Sequence, residues 1–264
     1  VGILVATHWL TFYESIQLST ASLGILCLST ATLHVTWLEP IIFKKRFSFL
    51  EFTFGLLVIG GIYFVSSDFN PKQYTALALG LFSALCAALF SVFNAKIAED
   101  TPAPAITFHE MIIGFVVLTI ALAVRGELNQ EDLSMTWSDF WWLLFLGIVC
   151  TSFAFIATIE VMKKLGAFTV SLSINLEPVY TILLAIPILN EHELLNSNFY
   201  IGAALIIGII AAATRAIPSR KPWILSGIGV GILGSLIVAS LTGRIAEMAE
   251  GVGQELFNAG ILGL

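Results

Sequence analysis

Apolar runs of about 17 to 25 residues recur along nearly the whole chain, each long enough to cross a ~30 Å hydrocarbon core as a helix. The alternating ten-residue segments of a membrane β-barrel are not seen. Composition agrees: 58% of the 264 residues are hydrophobic and only 11% charged, too little polar surface to wrap a soluble fold of this length. The expected fold class is therefore all-α, a polytopic membrane helix bundle.

Spanning helices are expected at roughly 1–16, 19–41, 49–66, 75–97, 106–125, 139–162, 167–189 and 199–214, with two further candidates at 222–241 and from about 255. The connections between them test this count, because cytoplasmic loops are enriched in Lys and Arg. One alternate set carries Lys44, Lys45, Arg46, Lys96, Lys163, Lys164, Arg215, Arg220 and Lys221, nine of the twelve basic residues. The opposite set holds only Lys72, Arg125 and Arg244 and includes the acidic loops "GELNQEDLSMTWSD" and "NEHELLNSN". Trp137, Trp141 and Trp142 fall at one outer boundary and Trp223 at an inner one, as interfacial aromatics do. A multi-pass protein of the cell (inner) membrane is the expectation.

Several classes drop out. No basic patch suggests nucleic acid. Cys27, Cys86 and Cys150 each sit inside an apolar run without CxxC spacing, so they read as small packing residues. No cofactor or metal motif is present. "HEMII" and "HELLN" lack the second His of HExxH, and neither a GxxxxGK[ST] loop nor a GxSxG elbow occurs, so an enzyme is not expected. The chain starts at Val1 and stops within the apolar "NAGILGL", which reads as a fragment at both ends. No cleavable signal peptide is expected, because the first run lacks a basic n-region and a small-residue cleavage site.

Intramembrane polar groups point to a binding cavity. Glu177 lies near the middle of the 167–189 run, where a charge costs several kcal/mol unless it is paired or protonated. Pro178 and Pro187 free backbone carbonyls around it. Asn175 is its neighbour. His8 beside Trp9, His34 near Trp37, and Tyr13 and Tyr180 could line the same cavity, or simply hydrogen-bond between helices. Glu39, Asn94, His109, Glu110 and Glu160 fall near cytoplasmic helix ends and are expected to reach water. Glu191 and Glu193 read as an outer turn. Gly227 to Gly231 offer a close helix approach. Glu247, Glu250 and Glu255 read as a solvated loop.

A weak internal repeat appears at an offset of ~146 residues, pairing Glu14 with Glu160, Ala21 with Ala167 and "KKRFS" with "NEHEL". "WLEP" at Trp37 and "NLEP" at Asn175 do not fit that register. An odd number of spans separates equivalent helices, so the two units run antiparallel, an arrangement that places substrate sites at the midplane interface.

The stretch "LEPVYTILLAIPILNEHELLNSNFYIGAALIIGI" resembles the EamA-like branch of the drug/metabolite transporter superfamily, over roughly residues 1–214. That resemblance implies ten helices in two inverted five-helix repeats with both termini cytoplasmic. The first repeat here would lack its first two helices, leaving three at 1–66, and the second would fill 67–214. "FKKRF" stands where the family often has a Glu-containing turn, and the turn glutamate matching Glu191 would be structural. Residues 215–264, one helix plus a truncated one, resemble the start of a bacterial high-affinity iron permease, although "NFYIGA" replaces that family's Arg-Glu-x-x-Glu.

The expected function is secondary transport of a small polar metabolite by alternating access, with export of an amino acid or related metabolite favoured by the resemblance. The substrate site would comprise Glu177, Asn175, His34, His8, Trp9, Tyr13 and Tyr180. The partners are that small molecule and the lipid bilayer, with a proton as the coupling ion Glu177 could carry. An iron permease fragment and a non-transporting membrane scaffold or sensor are the alternatives.

Overall fold

A computed structural model describes residues 1–49, 52–53, 56–57, 60–61, 70–126, 136–174 and 197–215. Every element among them is a helix: α1 (Gly2–Leu18), α2 (Ala21–Leu28), α3 (Ala31–Phe43), α4 (Pro71–Ile97), α5 (Ala103–Arg125), α6 (Trp137–Phe145), a π segment (Leu146–Phe153), α7 (Ala154–Leu165), α8 (Ala167–Ile174) and α9 (Ser197–Arg215). Four described stretches, Ala21–Phe43, Pro71–Ile97, Ala103–Arg125 and Phe140–Leu165, are long and apolar enough to span a bilayer. The protein is a polytopic helical membrane protein.

Local chemistry sets the helix ends. Asn70 and Gln73 form a reciprocal capping box at the start of α4, with Pro71 in the first turn, where its missing N–H costs nothing. The Thr20 hydroxyl accepts from Leu23 N–H at the start of α2. Gly126 and Gly166 end α5 and α7 with φ of 76° and 80°, a backbone region that favours glycine. Between α2 and α3, Ser29 and Thr30 donate to the carbonyls of Leu26 and Cys27, three residues back. Such local bonds compete with regular i−4 pairing, and the run expected at 19–41 is two helical pieces. A π segment likewise interrupts the run expected at 139–162, with Ser152 donating to the Gly147 carbonyl five residues back.

Helix α1 lies antiparallel along α4. His8 meets Ser83 and Ser15 donates to the Ala76 carbonyl at 2.7 Å, so the two sequences advance in opposite directions. Small residues permit the close approach: a Cβ on Gly80 would stand 2.8 Å from Cys27 Cβ and 3.0 Å from Ser15 Oγ. Helix α5 runs parallel to α1, since Gly2 abuts Ile113 near one end and Glu14 pairs with Arg125 at the other, 3.5 Å apart. Val35 and Leu38 of α3, Ala88, Val92 and Ala95 of α4, Met162 of α7 and Ala167 and Val170 of α8 share the largest core. On the outside, Phe115, Ile120 and Val124 of α5 and Trp137, Trp141, Ile148 and Phe153 further on are exposed. An apolar exterior is what a lipid solvent selects.

The basic ends of α3, α4 and α7 gather together. Lys45 and Lys96 both approach the Phe43 ring, at 4.8 and 5.3 Å from its centroid. Glu39 accepts from Lys45 at 2.8 Å and lies 3.7 Å from where a Gly166 Cβ would stand. Lys96 pairs with Glu99, and Lys163 with Glu160. The loop lysines that alternate in sequence thus share one face of the bundle. Helix 49–66 is described only in part, and the runs expected at 222–241 and from about 255 lie outside the described residues, as do most of 167–189 and the whole tail 216–264.

Candidate functional site

An aromatic array links three helices. Tyr13 packs edge-on to Phe12, Phe12 stacks on His8, and His8 meets the edge of Phe90 with centroids 5.6 Å apart. Phe90 stacks on Phe155, which packs edge-on to Trp9, both at 6.0 Å. Helices α1, α4 and α7 therefore each contribute to one wall of rings, and three of the expected site residues, His8, Trp9 and Tyr13, belong to it. His34 stands apart in a ring pair with Trp37 on α3, its Nδ1 buried without a hydrogen-bond partner. Asn175, Glu177 and Tyr180 lie outside the described residues.

The role of His8 is legible from its bonds. Ser83 Oγ donates to the His8 carbonyl at 3.0 Å and lies 2.7 Å from Nδ1, and the Ser83 carbonyl lies 3.1 Å from the same nitrogen. One hydroxyl proton serves one acceptor, so Nδ1 carries the ring proton and donates to Ser83, leaving the lone pair on Nε2. His8 thus ties α1 to α4 in the wall itself.

A second group of polar side chains was expected at the surface and is not there. Asn94 is 2% exposed, Glu110 3% and Glu39 9%, whereas His109 and Glu160 do reach the exterior. Glu39 owes its burial to the packing of α3 and is held by Lys45. Asn94 Oδ1, Thr107 Oγ1 and both oxygens of Glu110 are buried without hydrogen-bond partners. Asn94 stands within interaction range of Glu110 across α4 and α5, short of hydrogen-bond geometry. A signal for this existed in the sequence. Ala103, Thr107, Glu110 and Gly114 recur at helical spacing on the packed face of α5, while His109, one residue away, points about 100° elsewhere.

Comparison with known proteins gives the class: the EamA-like transporter family matches residues 74–215. The match takes in rather more than half of the chain, from α4 to the end of α9, and the chain belongs to that family of membrane transporters within the drug/metabolite superfamily. A solved protein titled only "Crystal structure of protein" shares the fold at TM-score 0.53 and 18% identity, covering 82% of this chain and 75% of its own. No curated protein sequence matches the chain. The iron-permease likeness of residues 215–264 is not shown by any of these matches. Members of the family are transporters, not enzymes, which places a small molecule and the bilayer as the partners.

Proposed function

We propose that the protein is a secondary transporter of a small polar metabolite, an amino acid or a close relative, exported across the cell (inner) membrane by alternating access. The observation that carries this reading is the wall of rings around His8, in which Trp9, Tyr13, Phe90 and Phe155 converge from three helices within a transporter family. Rigid aromatic faces with a few polar tips suit a small zwitterion that must be held and then released. Two inverted repeats, at 1–66 and 67–214, are the arrangement on which the two access states would rest. In this reading Glu177 contacts the substrate or carries a coupling proton, Asn175 and Tyr180 flank it, and His34 offers its unpartnered nitrogen.

Exchange of radiolabelled amino acids in proteoliposomes tests this. Trp9→Ala should lower exchange at least tenfold with the protein still inserted, and Glu177→Gln should lower it or flatten its pH dependence. Undiminished exchange in Trp9→Ala would remove the ring wall from the path. Absence of exchange for every amino acid offered to the unaltered protein would overturn the substrate class.

A further inference from the structure

We infer that Asn94, Thr107 and Glu110 form a binding site for a single monovalent cation, a proton or Na⁺, near the basic end of the bundle. Glu110 lies about two turns into α5, and Asn94 about one turn from the end of α4. Asn94 Oδ1, Thr107 Oγ1 and both Glu110 oxygens are each buried there without a hydrogen-bond partner. The nearby donors, the Thr107 hydroxyl and the Asn94 amide that bears on Glu110, complete no hydrogen bond to the carboxylate. A buried carboxylate with no completed hydrogen bond is far more costly than a neutral group. A bound cation relieves this cost: a proton neutralises the carboxyl, and Na⁺ takes carboxylate, amide and hydroxyl oxygens, the hard ligands such ions prefer.

The charge count selects a monovalent ion. One carboxylate balances one positive charge, and among the described residues no three His, Cys, Asp or Glu side chains come together as a metal site. The surrounding charges are occupied elsewhere. Lys96 pairs with Glu99 and Lys163 with Glu160 at the exterior, Lys45 with Glu39, and His109 turns outward to hold the Ala105 carbonyl. From α1, the Val1 amino group bears on Glu110 without forming a hydrogen bond to it, so the test uses protein whose Val1 nitrogen is an amide within an amino-terminal tag. Ala98, Ala103, Ile106 and Ile159 pack together beyond the site toward the helix ends, an apolar lid that keeps bulk water from substituting for the ion.

The site does not depend on which metabolite is carried, so its test reads the carboxyl and the ion rather than transport. Infrared difference spectra of the tagged protein in lipid, taken across pH and with Na⁺ exchanged for choline, report the carbonyl stretch of a protonated carboxyl. A proton site gives a pH-dependent band that Glu110→Gln abolishes. A Na⁺ site gives thermal stabilisation by Na⁺ over choline at equal ionic strength, lost in Glu110→Gln and weakened several-fold in the near-isosteric Thr107→Val. Thr107→Val keeps the carboxyl, so it reads the site even if Glu110→Gln does not fold. An ionised Glu110 at every pH, together with no difference between Na⁺ and choline, overturns the proposal.

Discussion

Ser83 and Asn94 sit about three turns apart on nearly the same face of α4, and their surroundings are opposite. Ser83 is fully engaged, with its hydroxyl and carbonyl both at His8. Asn94 has a buried oxygen with no partner and faces a carboxylate in the same condition. Burial is equally deep, so depth is not what separates them. The difference is whether the protein itself completes the hydrogen bonding. A completed pair fixes two helices; an incomplete one leaves an energetic vacancy that a ligand or proton can fill, the pattern by which intramembrane polar groups mark function.

The largest effect expected belongs to the completed side. Gly80→Leu would drive a side chain into Cys27 and Ser15, where even a Cβ stands within 3.0 Å. Overpacking of this kind costs about 2 to 3 kcal/mol, read as a lower midpoint in reversible unfolding by denaturing detergent. If the midpoint does not move, α1 and α4 are not locked by close contact, and His8 must be holding them by hydrogen bonds alone.

Next in size is the contrast itself. Ser83→Ala removes the hydroxyl that donates to the His8 carbonyl, leaving Nδ1–H only the Ser83 carbonyl, and should cost about 1 kcal/mol, within the modest range measured for hydrogen bonds between membrane helices. Glu110→Gln, at an equally buried position, should cost nothing in alkaline, Na⁺-free buffer or stabilise slightly, because it removes an uncompensated charge and supplies an amide that can donate to Asn94. The same unfolding assay measures both. Equal losses in the two variants would mean that Glu110 is as fully partnered as Ser83, and the comparison would collapse.

How much of this the sequence disclosed follows from the range over which each feature is encoded. The described spans were legible because lipid demands uninterrupted apolar runs, whereas α4 starts at Pro71 rather than at the expected 75, although Asn70, Pro71 and Gln73 carry a local cap signal there. The interruption at Ser29 and Thr30 is local too, but hydroxyls inside an apolar run look the same whether they bond backward or project outward. The partner of His8 is 75 residues away, and nothing in one sequence pairs it with Ser83 rather than with any other polar residue of a neighbouring helix. Glu110 was misplaced for a different reason. Nearness to a helix end suggests water, yet the packing of α1 and α7 against α5 decides exposure. The spacing of Ala103, Thr107 and Gly114 around it carried that information.

The smallest effect expected is at the opposite end of the bundle, where charge is abundant and matters least. Glu14 and Arg125 approach to 3.5 Å with side chains 35% and 51% exposed. An ion pair open to solvent gains little over two hydrated charges, so Glu14→Gln should shift stability by about 0.5 kcal/mol or less, and the shift should vanish as salt is raised. A substantially larger, salt-insensitive loss would mean that this pair is shielded in the membrane and holds α1 against α5. That would move the satisfied side of the comparison from the His8 contact to the rim, and the parallel register of α1 and α5 would then rest on charge rather than on the close contact at Gly2.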